Sequence, residues 1–457
     1  MFEIVSTWSE VQSKIIQPYT ENKKHIICPI KKEDIHNKIY QEIFKRLGYR
    51  FYRSMDDLSV IHTIEYVFYK IRSGIFVEIR NNQLFSFIPF ANKYFQNNWS
   101  NNIRLYGSKN NTVKEYIQHK KKYFRYTYKY IFNPKYWWAN AYIINNEVRE
   151  DIWGQHSLQE FFDLLQTTLQ NNKIGDCVFI INKRDHPLMH KKLLEPYPSL
   201  YPSPKHIEKK YSHSSYIPIL SPYTNENYTD IPFVIAEDWK LANQDPSYYK
   251  IEHDVSWSEK IPTAFFRGSA TGSMEIQYNQ RLMITKLDYE WSKSKPTLLD
   301  AGIVSWNSRD KIDSSLQINY IKPKEMNRMG IYLKPKVPMN EQIKYKYIIN
   351  IDGHSKPNRT MYLLQSGSLM FIVESKFVIG NTCWYSHMLI PFKHYIPIKH
   401  DLSDLEEKII WCRNNDEQCK TMVENSIQLF HTLCSKKNIM NYTSVILNTI
   451  STQIKKN

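Results

Sequence analysis

Apolar positions along the chain recur first at helical spacing and then at strand spacing. From 34 to 48, DIHNKIYQEIFKRLG places Ile35, Ile39, Ile43 and Leu47 on one stripe, with Asp34 as N-cap and Gly48 as the stop, so a packed helix is expected. Between 71 and 90, IRSGIFVEIRNNQLFSFIPF alternates on either side of Asn81-Asn82, which predicts two strands joined by a turn. From Ser157 the period is helical again, with Leu158, Phe161, Phe162, Leu165 and Leu169 on one face, followed by the apolar run of KIGDCVFIIN. A short apolar run behind an amphipathic helix predicts an interior parallel strand.

The remainder repeats an α/β rhythm. A Pro-rich connection, LEPYPSLYPSPK, leads to SYIPILSP and DIPFVIAEDW, loops of the kind that rim a cleft. TAFFRGSATGS reads as strand into glycine-bearing turn, YKYIINIDG as strand into turn, NRTMYLLQSGSLMFIVE as helix into strand and HYIPI as a short strand. DLSDLEEKIIWCRNND opens a helix with a Ser403/Glu406 capping box. The pattern predicts two α/β halves with a cleft between them, preceded by an α+β region.

Composition narrows the class. The 457 residues suffice for several domains, and 42% apolar residues with 12 glycines and 21 prolines exclude fibrous and low-complexity chains. A formal charge of +16 points to an anionic partner, whether nucleotide, nucleic acid, phosphorylated substrate or acidic surface. Abundant tyrosine, lysine, asparagine and isoleucine resemble the drift of an AT-rich genome, as in a parasite or a large DNA virus. Six cysteines form no CxxC pair, which argues against a disulfide framework or a zinc site. The opening FEIVSTWSEVQSK lacks a basic start and apolar run, and no window reaches a membrane span, so a soluble, cytoplasmic protein is expected. Basic and aromatic residues interleave in HKKKYFRYTYKYIFNPKYWW, 119–138, a pattern that can stack bases and hold phosphates, but with no RNA-binding module signature beside it the favoured reading is a tyrosine-rich strand or linker against a neighbouring domain.

Two turns carry candidate chemistry. In FRGSATGSMEIQYNQRL, Gly268 and Gly272 allow close backbone approach to a phosphate, Ser269 and Thr271 offer hydroxyls, and Arg267 and Arg281 supply charge at a helix start. The spacing is neither a Walker loop nor GxGxxG, and a plain strand-to-helix turn accounts for it equally well. In NIDGHSKPNRTMYLLQSGS, Asp352-Gly353 ends a strand and Arg359 stands at the next helix start, where guanidinium and helix dipole both favour an anion. A third stretch, VFIINKRDHP, sets Asp185 at the mouth of a buried strand between Arg184 and His186.

In their order and spacing, FFRGSATG with NQRL after it, YKYIINIDG, NRTMYLLQSGSLMF, WYSHMLIPFKHYIPI and DLSDLEEKIIW resemble the protein O-glucosyltransferase and capsule-associated glycosyltransferase family, family 90, over about residues 175 to 430. IINKRDHP is similar to that family's acceptor-side motif. The resemblance implies a GT-B type fold, with an acceptor-side Rossmann-like domain over 136–250 and a donor Rossmann-like domain over 251–430; outside its reach, the pattern itself gives an N-terminal α+β domain over 1–135 and a C-terminal helix over 431–457. It implies an inverting, metal-independent transferase that needs no cofactor. Such an enzyme moves a sugar, glucose or xylose favoured, from a UDP-sugar to a hydroxyl of a protein or glycan. By the same match Asp185 is the general base, and Arg267, Gly268, Ser269, Thr271, Gly272, Arg281, Asp352, Gly353 and Arg359 hold the donor. The absence of a DxD pair agrees with arginines in place of a divalent ion. A catalytically idle nucleotide- or glycan-binding protein is the alternative, and a basic nucleic-acid-binding protein ranks third.

Overall fold

The computed structural model describes residues 2–21, 57–92, 142–144, 147–149, 157–196, 206–243, 255–273, 278–306, 323–376 and 380–452. The helix expected at 34–48 and the basic, aromatic stretch 119–138 lie outside them.

Strands β1 (Ser73–Arg80) and β2 (Gln83–Ala91) form the expected hairpin, with Asn81 and Asn82 in the left-handed region at φ 48° and 60°. Asparagine tolerates that conformation better than most residues, which is why the turn falls there. A separate short pair, β3 (Tyr142–Ile144) and β4 (Glu147–Arg149), is antiparallel. Strands β5 (Cys177–Ile181), β6 (Ile219–Ser221) and β7 (Ile231–Pro232) complete a first sheet in the order β2-β1-β5-β6-β7. The N-terminal hairpin thus shares a sheet with 177–181 instead of forming one of its own. β5 runs parallel to β6, as its apolar run predicts, but antiparallel to β1 on its other side. With all five of its residues buried, β5 reads alike for either kind of neighbour.

Helix α1 (Asp57–Tyr66) buries Val60 and Ile64 in the core of this half, and α2 (Leu158–Asn171) buries Leu158, Phe161, Leu164, Leu165 and Leu169 there. A short helix α3 (Ala236–Ala242) follows β7.

The second sheet holds β8 (Ile261–Ser269), β9 (Leu299–Ser305), β10 (Tyr345–Asn350), β11 (Leu369–Val373) and β12 (Ile396–Ile398), all parallel, in the order β12-β11-β10-β8-β9. Helix α4 (Gln280–Trp291) joins β8 to β9 and α5 (Thr360–Leu364) joins β10 to β11. Helices α6 (Leu405–Asn414) and α7 (Asp416–Leu433) cover one face, packing Ile409 and Val423 with Phe266, Tyr347, Ile349 and Phe371. The last described helix, α8 (Lys436–Ser451), returns to the first half, where Asn448 Oδ1 accepts the Gly175 N–H at 2.9 Å.

The expected Ser403/Glu406 capping box does not form. Ser403 donates its N–H and hydroxyl to Asp401 Oδ1 (3.1 and 2.8 Å), and Asp404 becomes the N-cap of α6 without a side-chain cap bond. A local turn at Asp401 competes for the same serine and wins.

The halves are joined directly. Thr224 and Thr382 exchange backbone hydrogen bonds at 2.8 and 2.9 Å, and Trp384 Nε1 donates to Asp238 Oδ2 at 2.7 Å. One apolar core runs from Ile180 and Leu220 through Met361 and Trp384 to Leu433 and Ile446.

Candidate active site

In a parallel sheet the carbonyl ends of the strands open toward the loops, and a crevice forms where successive connections depart to opposite sides. In the second sheet the chain leaves β8 for β9 on one side and returns to β10 on the other, so this switch point lies between β8 and β10. The two motifs expected to hold an anion, 267–281 and 352–359, both end there.

Ser269 closes β8, and Thr271 and Gly272 (φ 130°) follow it on the way to α4. Asn279 caps that helix: Oδ1 accepts the N–H groups of Arg281 and Leu282, both at 3.2 Å, and Nδ2 donates to the Ser273 carbonyl at 2.9 Å. Asparagine before a helix is a cap signal, so Asn279 was legible in the sequence though not singled out. Arg281, half-buried in the first turn of α4, gathers the strand ends. Nε donates to the Asp352 carbonyl (3.1 Å), Nη1 to the Ser269 carbonyl (3.1 Å) and Thr271 Oγ1 (2.5 Å), and Nη2 to the Ile351 carbonyl (2.9 Å). Arg359 donates to Asn350 Oδ1 (3.3 Å) and to the carbonyls of Arg267 (3.1 Å) and Ile349 (3.0 Å). These acceptors are all neutral. Burial and then the nearby Arg359 charge pull the Arg281 pKa down to about 9, which leaves it charged at neutral pH.

Asp352 is buried and accepts a hydrogen bond from Ser375 Oγ. Burial raises its carboxyl above the usual range, opposed by Lys356 and Arg281. Gly353 lies against this group: a Cβ there would stand 2.7 Å from Thr271 Oγ1 and 3.1 Å from Arg281 Nη2. Gly268 also borders the Arg281 guanidinium. Arg267 is placed differently. Its Nη2 pairs with Asp300 Oδ1 at 2.8 Å and its guanidinium lies 4.7 Å from the Phe265 ring centroid, so only its backbone carbonyl meets Arg359. The structure brings Ser269, Thr271, Arg281, Asp352, Gly353 and Arg359 together, and turns the Arg267 side chain away to Asp300.

The facing rim comes from the first sheet. β5, β6 and β7 are parallel neighbours, and past their carbonyl ends stand Asp185, Tyr223 and Glu237. Asp185 is exposed, Tyr223 buried and Glu237 half-buried. Burial raises the Glu237 carboxyl, with Lys240 opposing and Asp185 adding to the rise. Glu237 lies in DIPFVIAEDW, one of the stretches expected to rim a cleft, and Tyr223 directly follows the other, SYIPILSP; neither residue stands out within its stretch. Gly380 is the joint between rim and cradle: a Cβ there would lie 2.7 Å from Tyr223 Cβ, 3.5 Å from the Asp185 carbonyl oxygen and 3.5 Å from Ser355 Cβ. Ser355 in turn accepts the Gly353 N–H at 2.9 Å. The chain of contacts thus runs from Asp185 through Gly380, Ser355 and Gly353 to Thr271 and Arg281.

Among the described residues, no helix is long and apolar enough to cross a membrane, and Cys383, Cys412, Cys419 and Cys434 are free thiols.

The family model for glycosyl transferase family 90 matches residues 142–457. An uncharacterized protein of Invertebrate iridescent virus 3 is 32% identical over 421 residues, covering 88% of this chain and 37% of that protein. Protein O-glucosyltransferase 3 of Homo sapiens is 30% identical over 290 residues, covering 62% of this chain and 48% of that protein. The chain therefore spans less than half the length of either relative. Among solved structures, the GtfA/B complex is similar with a TM-score of 0.33 at 13% identity, covering 68% of this chain and 63% of that one.

Proposed function

We propose that this chain, which belongs to glycosyl transferase family 90, transfers a sugar from a UDP-sugar, glucose or xylose favoured, to a hydroxyl of a protein or glycan, by inversion and without a metal ion. The observation that carries the reading is the pair of guanidinium groups, Arg281 and Arg359, bonded to neutral oxygens at the switch point of a parallel sheet. Two fixed positive charges held against strand-end carbonyls favour a diphosphate, and the Thr271 hydroxyl beside them adds a donor.

The rim supplies the other half of the reaction. An acceptor hydroxyl is a weak nucleophile until a carboxylate takes its proton, and Asp185 is the exposed carboxylate past β5. As the acceptor oxygen bonds to the anomeric carbon, the bond from that carbon to the diphosphate oxygen breaks. The proton goes to Asp185 and the electron pair leaves with the diphosphate toward Arg281 and Arg359. Attack on one side and departure on the other inverts the carbon. The two halves act as the Rossmann-like domains of a GT-B enzyme, with the first half presenting the acceptor.

Titration with UDP beside a transfer assay over UDP-sugars tests this. Asp185→Asn is expected to lower turnover by about a hundredfold or more while leaving UDP affinity within about twofold. Arg281→Gln is expected to weaken UDP binding by about tenfold or more, since a charge-assisted contact is lost. Turnover is expected to withstand EDTA. Full turnover by Asp185→Asn, or a strict need for a divalent ion, would overturn the mechanism.

A further inference from the structure

We infer that Asn182, acting through Ser221 and Asp230, is the positioning residue that holds Asp185 at the crevice. The inference rests on the reading of Asp185 as the base and identifies what fixes that base in place. Asn182 directly follows β5, is 1% exposed, and donates its own N–H to the Leu220 carbonyl at 2.8 Å. Its carboxamide grips the loop on both sides of Asp185. Oδ1 accepts the Arg184 N–H at 2.8 Å, and Nδ2 donates to the His186 carbonyl at 2.7 Å. The two contacts set the amide orientation, because an N–H needs the oxygen and a carbonyl needs the NH2.

The grip continues into the sheet. Nδ2 also donates to Ser221 Oγ at 3.0 Å, and the Ser221 hydroxyl donates to Asp230 Oδ1 at 2.5 Å. Asp230 then accepts the next stretch of the same loop: Leu188 N–H on Oδ1 at 2.7 Å and Met189 N–H on Oδ2 at 2.8 Å. Asn182, Ser221 and Asp230 are all 1% exposed or less. One buried relay, running from the ends of β5 and β6 to the residue that precedes β7, therefore fastens the backbone at 184, 186, 188 and 189, with the exposed Asp185 in its midst. The Arg184 side chain adds an outer tether, donating Nη2 to the Ile71 carbonyl at 2.5 Å. Such a relay restricts where the carboxylate points, and misplacing a reacting group by about 1 Å costs on the order of a hundredfold in rate.

The test compares Asn182→Ala, Ser221→Ala and Ser221→Thr in the full chain. It measures transfer kinetics, UDP affinity and amide hydrogen exchange across 182–189. Asn182→Ala is expected to lower kcat by about tenfold to a hundredfold with UDP affinity within about twofold, and to speed exchange at 184–186 by about tenfold. Ser221→Ala, which keeps the carboxamide, is expected to show the same split at about threefold to tenfold, and Ser221→Thr, which keeps the hydroxyl, to restore the rate. In an Asp185→Asn background, Asn182→Ala is expected to cost less than about twofold more. Unchanged exchange, an unchanged kcat, or a full additional loss in that background would overturn the inference. Should the unsubstituted protein transfer from no sugar nucleotide, the reading of function fails, and the exchange data alone decide whether the relay fixes the loop.

Discussion

Replacing Asp238 by asparagine is expected to stabilise the protein, increasingly so as pH rises. Asp238 sits in the first turn of α3, is 1% exposed, and its described side-chain partner is the Trp384 indole, which donates to Oδ2 at 2.7 Å. Burial raises its pKa from 3.8 to about 8, with the Trp384 hydrogen bond opposing and Glu237 adding to the rise. At pH 7 the folded carboxyl is therefore mostly protonated, whereas the unfolded one is ionised. A folded pKa above the unfolded one means that the stability from this group is complete below the unfolded value and lost as pH rises through the folded value. Between 3.8 and pH 7 the loss comes to about 4 kcal/mol, at about 1.4 kcal/mol per pH unit. Asparagine keeps an oxygen for Trp384 and does not ionise, but buries an NH2 that costs about 1–3 kcal/mol if unpaired. Urea unfolding followed by tryptophan fluorescence at about pH 5, 6 and 7 gives both stabilities, and their difference removes every group the two proteins share. The variant's advantage should grow by about 1.4 kcal/mol per pH unit over that range. A difference that stays constant would mean that Asp238 is ionised in the folded protein, and the reasoning would fall.

Two further outcomes follow from packing. Gly380→Ala sets a methyl 2.7 Å from the Cβ of the buried Tyr223, so it is expected to cost about 1–3 kcal/mol in urea unfolding and to lower transfer more than UDP affinity. Arg267→Gln removes the 2.8 Å pair with Asp300, itself 31% exposed, and is expected to cost about 1–3 kcal/mol. UDP affinity, measured by titration, should fall less than in Arg281→Gln, and an equal fall would place the Arg267 side chain at the donor.

The local elements were legible along the chain. Asn81-Asn82 marked its turn because few other residues accept two consecutive left-handed conformations. The strand-to-helix turns at 267–281 and 352–359 announced themselves by apolar runs ending in small and basic residues, and the topology brings both to one switch point. Less was legible about individual contacts. Arg267 and Arg281 belong to one motif, yet Arg267 lies on the strand, where its side chain meets Phe265 and Asp300, and Arg281 lies on the helix that leans over the strand ends. Ser403 matched a capping box, but Asp401 was nearer.

What the amino-acid order determined by itself was where the chain turns, which stretches are buried and which loops carry charge, because each depends on neighbours within a few residues. Only the tertiary structure decided that β5 takes the N-terminal hairpin on one side, that Asp238 faces Trp384, and that Asn182 reaches Asp230 through Ser221. Apart from Ser221 and Asp230, nine positions apart, those pairings join residues from about 40 to 150 positions apart, and hydrophobic periodicity records that a side chain is buried without recording against what.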